Sequence, residues 1–208
     1  TDNFGLLGKK PTHPELLDYL ALDFEKNNWS IKMALRKMIL SETFQLSSEP
    51  AKANLSKDIS NTYLTYYTPR RLDAEAIKDS LHYVGGKNYR TMRQNIIRNR
   101  LDKFNESFDF PVPMTTMSKR NITNVPAQAL LLMNGPIAKN MSHHLAKLAE
   151  RESRGKGQET YIIELYKRLY SRDPDPTEIK ACLEYLKNHP NTELALALLN
   201  SKEFIYVY

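Results

Sequence analysis

One cysteine stands in 208 residues. That single thiol, Cys182, excludes an internal disulfide framework, a multi-cysteine metal site and a CxxCH haem attachment. It lies in the amphipathic run Glu178-Ile179-Lys180-Ala181-Cys182-Leu183 and is expected to be a buried structural thiol. No apolar run reaches the roughly 18 residues that a membrane-spanning helix needs. There is no initiating methionine and no basic-then-apolar leader; the chain opens Thr1-Asp2-Asn3-Phe4 and is read as processed, trimmed or a fragment. Motifs are scarce as well. No GxxxxGK-type phosphate loop, GxGxxG, GxSxG or HExxH occurs.

What is present is an ordinary globular composition. Apolar residues make up 41% of the chain, enough for one good-sized core or two small ones. The net charge of +6 is mild. The basic side chains gather best between Lys87 and Lys103, where Lys87, Arg90, Arg93, Arg98, Arg100 and Lys103 face Asp102 alone. Tyr89 is the only aromatic residue interleaved with them, so no base-stacking platform is evident. A solvated or acid-paired surface is favoured there over nucleic-acid or anion binding.

The apolar periodicity is helical through most of the chain, and the predicted class is mainly α. Helices are predicted near 13–26, 31–46, 73–84, 125–134, 137–150, 160–170, 177–188 and 192–200. Local signals set several ends. Thr12 and Glu15 form a candidate capping box with Pro14 in the first turn, Ser30 caps the second helix, and Asn124 precedes Pro126. Asp175-Pro176-Thr177-Glu178 is a further capping box. Trp29 is expected to plug the corner between the first two helices, and Phe24, Trp29, Leu35 and Ile39 to share a core with Leu130 or Leu131. Residues 61–68, with Tyr63, Leu64, Tyr66 and Tyr67, read as a short packed segment. Phe104, Phe108 and Phe110 with Pro111-Val112-Pro113 read as an extended, aromatic-anchored segment. The architecture expected is an irregular multi-helix domain with a long, partly extended central segment and a C-terminal three-helix unit. The charged, glycine-containing stretch 150–158 is the best linker candidate. It divides a main domain, 1–150, from a C-terminal unit, 151–208, packed on it.

The ionisable residues give few chemical leads. Adjacent His143 and His144 point about 100° apart on a helix and cannot share one metal. Asp18, Asp23 and Glu25 belong to the polar side of one helix. Arg70-Arg71 beside Asp73 and Glu75 is a possible anion site, with pairing to the chain's own carboxylates preferred. The run 118–128 either builds a ligand site or pins an irregular loop onto the core, and the second reading is preferred. The candidate polar site therefore comprises Arg70, Arg71, Arg98, Asp109, Arg120, Asn124 and Gln128. No catalytic, metal or cofactor-binding residue is assigned.

Seven stretches in order carry a family likeness. They are Asp2-Asn3-Phe4-Gly5 with Thr12-His13-Pro14-Glu15-Leu16-Leu17-Asp18; Trp29-Ser30; Arg70-Arg71-Leu72-Asp73-Ala74-Glu75-Ala76-Ile77; Arg98-Asn99; Phe108-Asp109-Phe110-Pro111; Arg120 through Asn124-Val125-Pro126-Ala127-Gln128-Ala129-Leu130 to Asn134; and Leu199 to Val207. Together they resemble the planctomycete-specific C-terminal domain of unknown function, the PSD family, found behind cytochrome-c-like domains in large exported bacterial proteins. The resemblance implies a chain that is N-terminally incomplete relative to the family, and a shorter loop between Gly86 and Arg98-Asn99. It also implies export to the periplasm or cell surface. Haem is expected only in a separate upstream domain, with no cofactor in this chain. The family offers no catalytic residues to carry over. The reading is a non-enzymatic structural or interaction module, partnered by other domains of the same polypeptide or by a protein complex. The alternatives are an extracytoplasmic enzyme domain acting on a polymer, and anion or nucleic-acid binding through 87–103.

Overall fold

A computed structural model describes residues 5–51, 56–87, 97, 100–117 and 119–208. Among these are ten helices and one two-stranded sheet, so the chain is mainly α. Two compact units divide between Arg70 and Arg71: Thr1–Arg70 with Tyr208, and Arg71–Val207. Among the described residues no helix is long and apolar enough to cross a membrane.

The first unit holds a helical hairpin, α1 (Pro14–Lys26) and α2 (Ile31–Ile39). The Thr12–Glu15 capping box does not form. His13 is the N-cap, and the Thr12 hydroxyl bonds the His13 ring at 3.0 Å instead. Ser30 caps α2 as expected, accepting from the Met33 amide. Asn28 and Trp29 turn the corner with left-handed backbone, φ 53° and 57°. Trp29 does not plug that corner. Its ring stands edge-on to Phe24 at 5.4 Å, yet it remains 67% exposed. Neither helix buries a single residue, so Phe24, Trp29, Leu35 and Ile39 form no buried core within the first unit, while in the second unit Leu130 is exposed and Leu131 packs partly buried on that unit's own core. α2 ends seven residues short of the expected 46 because Ser41 captures the backbone, its hydroxyl donating to the Met38 carbonyl and accepting from Phe44.

Residues 58–68 are held by polar side chains rather than by their tyrosines. The buried Asp58 carboxylate accepts from the Thr62 and Tyr63 amides at 2.8 and 2.7 Å. Buried Asn61 donates to the Tyr66 carbonyl and accepts from the Thr65 amide, both at 2.8 Å. Tyr63 is exposed.

In the second unit, α3 (Ala74–Val84), α4 (Lys103–Ser107), α5 (Pro126–Asn134), α6 (Pro136–Glu152), α7 (Gln158–Tyr170), α8 (Pro176–Leu186), α9 (Asn191–Leu199) and α10 (Lys202–Ile205) share one core. The hub is α6, whose Met141, Leu145 and Ala149 recur every four residues and are fully buried. It packs against α3, α5, α7 and α9. The expected linker at 150–158 is no linker. α6 runs through it to Glu152, and buried Ser153 donates to the Ala149 carbonyl at 2.7 Å. Gly157, at φ +91°, then opens α7 directly. The aromatic segment at 104–108 is helical rather than extended. Asp102 caps α4 by accepting from the Phe104 and Asn105 amides, and Phe104 and Phe108 stack at 4.8 Å. Strands β1 (Arg70–Arg71) and β2 (Tyr206–Val207) form the sheet.

Candidate functional site

A β1 side chain, Arg71, is carried into the interior and is 7% exposed. Its Nη2 donates to Asp109 Oδ2 at 2.8 Å and more weakly to the Phe108 carbonyl at 3.4 Å. The guanidinium also lies over the Phe108 ring, 5.2 Å from its centre. Asp109 follows α4 in a left-handed conformation, φ 62°, which asparagine and aspartate tolerate better than most residues. That backbone turn presents its carboxylate to Arg71 and to the next loop at once. Thr123 donates to it through the amide at 2.8 Å and the hydroxyl at 2.9 Å. Gln128, buried on the first turn of α5, donates to the Ser107 carbonyl at 3.0 Å and to the Thr123 hydroxyl at 3.1 Å.

Three of the seven expected site residues, Arg71, Asp109 and Gln128, thus converge. The link between them, Thr123, lies outside that set. A threonine in a polar loop carries no signal of its own; only its spacing from Gln128 hints at a shared turn. Arg120 belongs to a separate set. Its guanidinium meets Glu75 at 2.6 Å and Asp73 at 3.5 Å, and covers the Phe110 ring at 5.9 Å. Burial is the largest single influence on the Glu75 carboxyl and works against its charge, but the Arg120 hydrogen bond, a backbone hydrogen bond and the attraction of the Arg120 charge together outweigh it and set its pKa below the ordinary value. The preferred pairing of arginines with the chain's own acids is therefore observed for Arg71 and Arg120. Arg70 is exposed. Asn124 is exposed and does not cap α5; the N-cap is Val125, with no side-chain bond. Arg98 lies outside the described residues, as do Arg90 and Arg93 of the basic stretch. Of the rest of that stretch, Asp102 is engaged by Lys78 at 2.7 Å.

Chemically, the Asp109 carboxylate already accepts from a guanidinium, an amide and a hydroxyl, an arrangement that fixes a loop more readily than it abstracts a proton. Two guanidinium nitrogens of Arg71, Nε and Nη1, are buried with no hydrogen-bond partner among the described residues. Among the described residues no group of three or more His, Cys, Asp or Glu side chains could hold a metal ion. His143 and His144 are exposed on α6, with His143 Nδ1 at 2.8 Å from the Lys139 carbonyl. Cys182 is buried beneath Tyr166, and that burial pushes its thiol up, away from reactivity.

The family model of PSD1, described as a protein of unknown function (DUF1553), matches residues 1–97 and 85–186. No curated protein and no solved structure matches the chain.

Proposed function

The chain belongs to the PSD1 family of unknown function (DUF1553), and from that premise we propose that it is a non-enzymatic interaction module of a larger exported protein. The observation that carries this is the α1–α2 hairpin. Its helices bury no residue, yet Leu16, Leu17, Leu20, Ile31, Leu35 and Ile39 are each between 36% and 69% exposed. Scattered apolar side chains on a surface need no explanation, whereas a contiguous face on two adjoining helices marks a binding surface. The Arg71–Asp109–Thr123–Gln128 cluster supports the same reading, since its bonds hold the 109–123 loop to α5. Export to the periplasm or cell surface, and a haem-bearing domain upstream, rest on the seven-stretch resemblance.

Hydrogen exchange tests the proposal. The amides of α1 and α2 are measured in the isolated chain at low concentration and in the native gene product purified from its source. Marked extra protection in the native protein is expected; identical exchange overturns the reading. A second reading, an extracytoplasmic enzyme acting on a polymer, draws on the two Arg71 nitrogens that have no hydrogen-bond partner among the described residues. Polymer turnover that is lost in Asp109→Asn, with the fold intact, would establish it.

A further inference from the structure

We infer that the partner of the α1–α2 hairpin is a second copy of this chain, the two hairpins closing into a four-helix bundle. This rests on the interaction-module reading and names its occupant. The groove between α1 and α2, about 310 Å³, is lined by Leu17, Leu20, Phe24, Ile31, Leu35 and Met38. A groove of that lining takes the apolar face of a helix. Its shape continues along α2, where Lys32 and Arg36 border Leu35 and Ile39.

Charge selects which helix fits. α2 carries Lys32, Arg36 and Lys37 and no acidic residue, so its edge favours an acidic amphipathic helix. The hairpin itself supplies one. α1 has an apolar stripe at Leu16, Leu17, Leu20 and Phe24, with Asp18 and Glu25 seven residues apart on one flank. Asp23 is already used within the hairpin, where it pairs with Lys37 of α2. A two-fold axis lays α1 of one copy beside α2 of the other, so each acidic flank meets one basic edge and the contact occurs twice in the dimer. Such an arrangement is the ordinary antiparallel four-helix bundle, in which two hairpins bury the stripes that neither buries alone.

Sedimentation of the 208-residue chain over a range of concentrations tests this. A monomer–dimer equilibrium is expected, and Leu35→Glu with Ile39→Glu should weaken it by at least about tenfold while circular dichroism stays unchanged. Both side chains are half-exposed, so their replacement leaves the second unit's core untouched. A charge exchange provides the independent check. Lys32→Glu with Arg36→Glu in one chain, and Asp18→Lys with Glu25→Lys in another, should each abolish self-association. Mixing the two should restore a dimer. A wild-type chain that is monomeric throughout, or a dimer indifferent to both sets of changes, overturns the inference. A monomeric chain whose hairpin is nevertheless protected in the native gene product would leave the interaction-module reading standing with another partner.

Discussion

Arg71 enters the interior with one carboxylate to balance it, and the consequences are measurable. Asp109→Ala removes the acceptor, leaves a buried guanidinium unpaired, and places alanine in a left-handed backbone. Each of these is destabilising, and together they should cost about 3 kcal/mol or more in urea unfolding. Asp109→Asn keeps an acceptor for the Thr123 amide and tolerates the same backbone, so it should cost less. An Asp109→Ala loss below about 1 kcal/mol would show that the loop is anchored elsewhere. His82 is a second residue with a stated sign. Burial lowers its pKa, reinforced by Lys87 and Lys78 and opposed by Asp79, and its buried Nδ1 has no hydrogen-bond partner among the described residues. A folded pKa below the unfolded value means that the unfolded chain binds more protons as pH falls. The stabilisation is therefore complete above the unfolded pKa and is lost as pH drops through the folded one. Stability should decline from about pH 7 towards pH 5, and His82→Asn should flatten that slope. The sequence made Arg71, Asp109 and Gln128 legible because charged and amide groups beside apolar runs demand partners. Thr123 escaped because the demand it meets is set by residues 14 positions away.

Helix ends were the most legible elements where the capping chemistry is local. Asp175 accepts from the Thr177 and Glu178 amides at 2.7 and 2.8 Å, and Glu178 accepts in return from the Asp175 amide at 2.8 Å. Asp175→Ala should cost about 1 kcal/mol in a thermal or urea melt. Glu178→Ala should cost at least as much, because Glu178 also holds Arg172 through paired bonds of 2.8 and 2.7 Å. Arg172 spans to Glu203 and lies over Tyr166 and Tyr170, so Glu178 ties α8 to α7 and α10 as well as starting its own helix. A Glu178→Ala variant cheaper than Asp175→Ala would deny it that second role. The elements that escaped the sequence are short. α4 has five residues and α10 has four, and neither is long enough for apolar periodicity to register. The capping box at Thr12–Glu15 looked as good as the one at Asp175–Glu178 but did not form. The spacing permits the bond; the Thr12 hydroxyl found the neighbouring His13 ring instead.

Across the whole molecule, the mainly α class followed from periodicity, but the division into units did not. Residues 150–158 carry charges and glycines, and that composition suits a flexible linker and a tight turn between packed helices equally well. The distinction lies in Ser153 being buried against Ala149, which is a tertiary fact. The exposure of the α1 and α2 stripes has a related cause. An amphipathic stripe shows that a helix has something to bury, without showing that the partner is in the same chain. Stability should therefore be distributed unevenly. Leu145 is fully buried at the hub of the second unit, so Leu145→Ala should cost about 2–5 kcal/mol. Trp29 is 67% exposed, and Trp29→Ala should cost well under about 1 kcal/mol despite the size of the side chain. Hydrogen exchange on the dilute chain would read the same contrast without mutation. Opening α1 and α2 uncovers no buried residue, so their amides should exchange through low-energy local openings. Those of α6 and α7 should exchange only through unfolding of their unit. Limited trypsin treatment should accordingly cut α2, where Arg36 and Lys37 sit among exposed neighbours, before it cuts within α6. Raising the chain concentration should slow both the cleavage and the hairpin exchange if the hairpin closes on a second copy, and should leave α6 unchanged. Equal protection in α1 and α6 at low concentration would mean that the hairpin is stabilised within the single chain, and the uneven distribution argued from burial would be wrong.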